Sequence, residues 1–258
     1  MKTTPRQTAA EGATRILVWD WPTRLFHWTL AGSFAGAWLT AESERLALWH
    51  MSFGLTLLGL IGFRLLWGVA GTRHARFGSF LAGPAKVWRY LRSLASAEPE
   101  HYIGHNPAGA VAVLLLLLLG AATAVTGVLY WQEIGGEAFE EVHEALATTL
   151  LGVVGLHVAG VIFSSLRHRE NLVGAMLSGF KRGQPGEGIA RSRPLVALLL
   201  AGVLAGFWGY AWSPASFLRG GPEAPEAVAA TASRLPLADA GDAGARAEAR
   251  RDDEGEDD

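Results

Sequence analysis

The residues able to do chemistry in this chain are its histidines, because the sequence contains no cysteine. Disulfides, thiolate metal centres, iron–sulfur clusters and thioether-attached c-type haem are therefore excluded within it, and a redox cofactor must be held by nitrogen, oxygen or methionine sulfur. Four of the eight histidines, His27, His50, His143 and His157, fall in or at the edge of long apolar stretches. An ionisable side chain is costly there and is ordinarily functional. One such histidine can be no more than a helix–helix hydrogen bond, but four together ask for a joint explanation. His143 and His157 are 14 positions apart, four helical turns less about 40°, which puts them on one face about 21 Å apart in depth. His50 lies near the start of the second apolar stretch and His27 near the start of the first, so the depths match as two pairs, His50 with His143 and His27 with His157. Two facing imidazoles at each of two depths in a helical bundle are what two bis-histidine b-type haems require.

Those histidines must be carried by elements long enough to hold two depths. Leu25–Ala41, Leu46–Phe63, Pro107–Tyr130, Ala145–Leu166 and Pro194–Trp212 contain no Asp, Glu, Lys or Arg, although 18% of the 258 residues are charged and 50% are hydrophobic. Each is long enough to cross a bilayer core of roughly 30 Å, which needs about 17–25 residues of helix. Charge segregation on this scale excludes an ordinary water-soluble domain. The expected fold is an all-α integral membrane protein: a four-helix bundle and a fifth C-terminal span. The chain divides into an N-terminal segment 1–24, the bundle 25–182, a linker and fifth helix 183–212, and an acidic tail 213–258 read as disordered.

The connections carry opposite charge. Residues 64–106 hold Arg64, Arg73, Arg76, Lys86, Arg89 and Arg92 against Glu98 and Glu100, and residues 167–193 hold Arg167, Arg169, Lys181, Arg182, Arg191 and Arg193 against Glu170 and Glu187. The two short connections hold Glu42, Glu44, Glu133, Glu137, Glu140, Glu141 and Glu144 against Arg45 alone. The positive-inside rule then places the N-terminus and both basic connections in the cytoplasm, and an odd number of spans leaves the C-terminus outside. No cleavable signal pattern precedes residue 25. Trp19, Trp21, Trp67, Trp131, Tyr210 and Trp212 fall where an aromatic belt would lie. Asn106–Pro107 reads as a helix start, and Pro84–Ala95 as a short amphipathic surface helix.

Haem brings carboxylates that need partners. Arg64 is 14 residues after His50, on the same face near the inner level, and Arg24 is one turn before His27. Both are candidate propionate partners, with snorkelling to the interface as the alternative. His157 is ten residues from Arg167 and His27 only three from Arg24, so the fourth helix must overhang or tilt at the cytoplasmic end. Gly32, Gly36, Gly54, Gly59, Gly152 and Gly155 provide room for packing or a macrocycle. His74, His101, His105 and His168 fall in the basic connections and are expected to be solvated or interfacial.

Trp19-Asp20-Trp21-Pro22-Thr23-Arg24-Leu25-Phe26-His27-Trp28, His50 with Gly54, Arg64-Leu65-Leu66-Trp67-Gly68, Ala75-Arg76-Phe77 and Gly104-His105-Asn106-Pro107-Ala108-Gly109 follow one another in the chain. This ordered series, over about residues 15–182, resembles the bacterial cytochrome b561 family, which includes the b-type cytochrome subunits of nickel–iron hydrogenases. The resemblance implies a four-helix membrane cytochrome with two non-covalent b haems, exchanging electrons between the quinone pool and a periplasmic partner. It places the family's four ligand positions on His27, His50, His143 and His157. The fifth helix and acidic tail depart from the family's four-helix pattern.

The expected function is an electron conduit of the bacterial inner membrane, an electron-transfer subunit meeting lipid, a quinone and a periplasmic c-type cytochrome or dehydrogenase, with no nucleic acid implied. No residue pattern marks a quinone pocket. The acidic outer surface would steer a basic partner. A superoxide oxidase coupled to ubiquinone ranks lower, since an anionic substrate would want a cationic mouth. A histidine-based metal or proton transporter is the alternative of another class.

Overall fold

The computed structural model describes residues 14–220. It opens with strand β1 (Thr14–Leu17) and continues through α1 (Trp21–Thr40), a 3-10 turn (Glu44–Leu46), α2 (Ala47–Ala70), α3 (Phe77–Phe80), α4 (Pro84–Ser93), α5 (Pro107–Trp131), α6 (Glu137–His168), α7 (Leu172–Ser178), strand β2 (Phe180–Gly183), α8 (Pro194–Ala211) and α9 (Phe217–Gly220). The expectation for the acidic tail falls, from residue 221 on, outside the described residues.

Among the described residues, four segments are long and apolar enough to cross a membrane: Glu44–Ala70, Pro107–Trp131, Glu137–His168 and Pro194–Ala211. The last of these is the C-terminal helix. Helix α1 is not among them. Its 20 residues would reach about 30 Å, but Trp21, Thr23, Arg24, His27 and Ser33 dilute its apolar content. It begins at Trp21, four residues ahead of the apolar run, because Asp20 caps it, accepting from Thr23 N at 2.8 Å, and Pro22 occupies the first turn.

Packing follows α1 on α2, α2 on α5 and α5 on α6. The core is Phe26 of α1, Leu57, Leu60 and Ile61 of α2, Leu117 and Ala124 of α5, and Leu200 of the C-terminal span. Gly120 lets α5 close on α2, since a Cβ there would lie 3.1 Å from Ile61. Helix α8 packs on α1 and α2. Trp208 fastens it, donating Nε1–H to Thr56 Oγ1 at 3.1 Å and packing its ring against Trp49 and Phe53. Helix α6 is buried at few positions, Leu150 and Ser164, and its other flank exposes Leu156, Ile162 and Leu166, as a lipid-facing helix does.

The basic connections gather at one end of the bundle. β1 pairs antiparallel with β2, Thr14 opposite Gly183 and Leu17 opposite Phe180. This ribbon departs from the all-α expectation. Val18 N and Trp19 N donate to Gly179 O, Ile189 N donates to Leu17 O at 2.7 Å, and Ile16, Val18, Trp19 and Ala175 form a second small core. The side chain of Lys181 is almost fully buried, paired with Glu170 at 2.9 Å and donating to the Ile103 carbonyl at 3.0 Å. Arg167 donates to the carbonyls of Leu94 and Ser96. Residues 14–24, 71–106 and 167–193 thus form a single base. Trp19 belongs to this buried base and Trp67 bonds inward to Asp20, so neither stands in an aromatic belt.

Candidate paired-histidine sites

At the end away from the base, His50 on α2 and His143 on α6 face each other with ring centroids 6.1 Å apart and ring planes at 75°. Each is oriented by a carbonyl on another helix. His50 Nδ1 lies 2.9 Å from Ala37 O, and His143 Nδ1 lies 2.8 Å from Thr123 O. Ala37 is in the last turn of α1, where carbonyls lack a backbone N–H partner, and its oxygen also accepts from Thr40 Oγ1 at 3.2 Å. A carbonyl only accepts, so Nδ1 carries the proton on both rings and the Nε2 lone pairs are left for a ligand. This orientation by a bond through the other ring nitrogen is typical of metal-ligating histidines. Two imidazoles each about 2 Å from one metal on opposite sides have centroids roughly 6 Å apart, and the observed spacing agrees. The His143 ring reaches this position because residue 127 is glycine: a Cβ there would meet the ring at 2.8 Å.

His27 on α1 and His157 on α6 stand nearer the base. His143 and His157 share one unbroken helix, which runs on to His168, the overhang that the unequal distances of His27 and His157 from the basic ends require. His27 Nδ1 is enclosed and has no hydrogen-bond partner. Helix α6, which bears His143 and His157, does not close on α1 and α2, which bear His27 and His50, as α1 does on α2 and α5 on α6. Gly54, one turn after His50, and Gly160, three residues after His157, have nothing within 4 Å of where a Cβ would be. Of the other glycines singled out, Gly36 is under the Phe53 ring, while Gly32, Gly59, Gly152 and Gly155 border open space.

Arg64 is buried, with its guanidinium 4.6 Å from the Phe77 ring and Nη1 unpartnered. An enclosed cationic nitrogen without an acceptor suits an anionic group such as a propionate. Arg24 is partly committed elsewhere: it stacks on Trp21 at 4.1 Å and donates to Leu177 O, leaving only Nε enclosed and unpartnered. Among the described residues, no three His, Asp or Glu side chains gather to hold a bare ion. Two donors per site suit a metal whose remaining positions are filled by its own macrocycle.

Two residues escaped the sequence. Asp20 is fully buried, and besides capping α1 it accepts from Trp67 Nε1 at 3.2 Å and Thr72 Oγ1 at 2.6 Å. One carboxylate therefore ties the start of α1, which carries His27, to the end of α2, which carries Arg64. The second is His105, expected at a solvated or interfacial position. Its Nδ1 is instead enclosed and unpartnered, because Trp19 and Phe80 pack on the ring at centroid distances of 4.9 and 4.5 Å. Burial holds its pKa at about 3, and the nearby charges of Arg64, His157, His74 and His27 act in the same sense. The remaining histidines are tied into the base: His74 Nε2 is 2.8 Å from Glu187 O, His101 is 3.4 Å from Glu170, and His168 packs on His101.

The model of the prokaryotic cytochrome b561 family matches residues 18–179. The chain is 28% identical over 228 residues, 70% of its own length and 94% of the relative's, to a protein of Azotobacter vinelandii named as a probable Ni/Fe-hydrogenase B-type cytochrome subunit. Proteins of the same name match from Azotobacter chroococcum, at 30% identity over 52% of this chain and 66% of the relative, and from Cupriavidus necator, at 26% over 64% and 86%. No solved structure matches the chain.

Proposed function

The chain belongs to the prokaryotic cytochrome b561 family, and from that premise we propose that it is a di-haem b-type cytochrome carrying electrons across the bacterial inner membrane, between the quinone pool and a periplasmic redox partner. His50 and His143 hold the outer haem, and His27 and His157 the inner one. Arg64 partners an inner propionate, with Arg24 as a second candidate. When bound, the two haems supply one-electron carriers at two depths. The observation that carries this reading is the facing pair His50 and His143, each with its tautomer fixed by a backbone carbonyl and its Nε2 left unused.

The chain's own residues orient the four imidazoles, keep water from the inner site with Phe77 and Phe80, and set the local charge through Arg64 and Asp20. In this reading α1 spans as well, making five crossings. The base of basic connections lies in the cytoplasm, and the glutamate-rich end and C-terminus lie in the periplasm. The relatives' names favour a hydrogenase as the partner, and the acidic outer end favours a basic soluble acceptor such as a c-type cytochrome.

Reconstitution tests the function. With a quinol in the bilayer and a soluble c-type cytochrome added outside, the acceptor is expected to be reduced only when vesicles contain this protein. Equal rates with and without it would contradict the proposal.

A further inference from the structure

Beside His27 Nδ1 and Arg24 Nε, the inner site holds two further enclosed nitrogens without a partner in the protein, Arg64 Nη1 and His105 Nδ1. They share a wall: Phe80 lies 4.5 Å from the His105 ring and 5.9 Å from the Arg64 guanidinium. They arrive from different elements, Arg64 from the last turns of α2 and His105 from the loop that ends at the Asn106 cap of α5. That loop is held in place independently of any ligand. Asn106 accepts from Gly109 N at 2.7 Å, and Lys181 grips the carbonyl of Ile103. Enclosed polar nitrogens are nearly always paired in a folded protein, and leaving one unpaired is expensive. Two at one place, one cationic and one a neutral donor, describe a socket for a carboxylate. Asp20, the acid whose charge acts on Arg64 among the described residues, has both oxygens engaged by Thr23, Trp67 and Thr72.

We propose that His105, together with Arg64, holds a propionate of the inner haem, and that His105 is a positioning residue setting that haem's potential. This rests on His27 and His157 being the inner ligands. The Nδ1–H of a neutral imidazole donates to the carboxylate, and the Trp19 and Phe80 rings fix the imidazole plane. Removing the donor leaves the propionate's negative charge less compensated. That favours the oxidised, more positive iron and lowers the midpoint potential.

The test is a potentiometric titration of the haem-loaded protein in detergent, followed through the reduced absorption band. In a His50→Ala background, which isolates the inner haem, His105→Ala is expected to lower the midpoint, and added imidazole or His105→Gln to restore it. In the otherwise intact chain, the outer haem's midpoint stays where it was. A midpoint unmoved by His105→Ala at unchanged haem content would overturn the proposal, as would an equal shift at both haems. Should His105→Ala fail to accumulate, resonance Raman of the propionate bending band in His105→Gln carries the test: a displaced band supports the bond and an identical one overturns it. Wild-type protein without haem would overturn the ligand reading and this inference together. Two haems with unmoved midpoints would sink this inference alone.

Discussion

His50 and His143, on helices that do not otherwise pack closely, face each other at 6.1 Å between ring centroids, and the approach depends on a glycine on a third helix. A Cβ at residue 127 would lie 2.8 Å from the His143 ring. Gly→Ala inside a helix normally stabilises it by about 1 kcal/mol, so Gly127→Ala separates backbone effects from steric ones. We expect it to displace His143 and to weaken or remove the outer haem, read as a fall in the haem-to-protein ratio toward half. An unchanged haem spectrum would contradict the role given to Gly127.

Asp20 joins α1 to the end of α2 through three hydrogen bonds. Asp20→Asn keeps the helix cap but turns one acceptor oxygen into a donor facing the Trp67 N–H. The expected cost is about 1–3 kcal/mol, the range for a buried polar group that loses its partner. A lower thermal transition in detergent checks it, and Asp20→Ala should fall further because the cap is lost as well. A transition equal to wild type in both variants would contradict the hub.

The base has its own pH dependence. Desolvation pushes the Glu170 pKa up, but the His101 hydrogen bond and the Lys181 charge outweigh it, and the net shift is downward from 4.5. A carboxylate whose folded pKa is lowered contributes stability that is fully present above its unfolded value and is lost as pH falls through the folded one. Stability from this pair should therefore hold at neutral pH and drop below about 4.5. Lys181→Met should lower the thermal transition at pH 7 and flatten that acid dependence. An acid profile parallel to wild type would argue against the pair as its source.

Glu42, Glu44, Glu133, Glu137, Glu140, Glu141 and Glu144 are all exposed at the end opposite the base. If a basic carrier docks there, electron transfer to it should slow as salt rises, because screening shortens the field to about 8 Å at physiological ionic strength. Stopped-flow rates across a salt series read this directly. A flat profile would remove electrostatic docking from the account.

Much of the site was legible because its spacing lies within single elements. His143 and His157 share a face since α6 runs unbroken from Glu137 to His168, and the Asn106 cap and the first-turn proline Pro84 announce α5 and α4. What stayed hidden depends on contacts between distant segments. Asp20 counts only as one charge until Trp67 and Thr72, 47 and 52 residues away, come to it. Thr14–Leu17 and Phe180–Gly183 are four-residue strands, too short to show an alternating pattern. His105 sits beside a helix-breaking Asn-Pro step, which marks a loop but not an enclosed one.

The central claim is two haems held by two histidine pairs, and the most direct measurement is the haem-to-protein ratio with reduced-minus-oxidised spectra of the wild type, His50→Ala and His157→Ala. The account predicts two b haems per chain, with each substitution removing a different one. A wild type without haem, or either substitution leaving both haems in place, would contradict it.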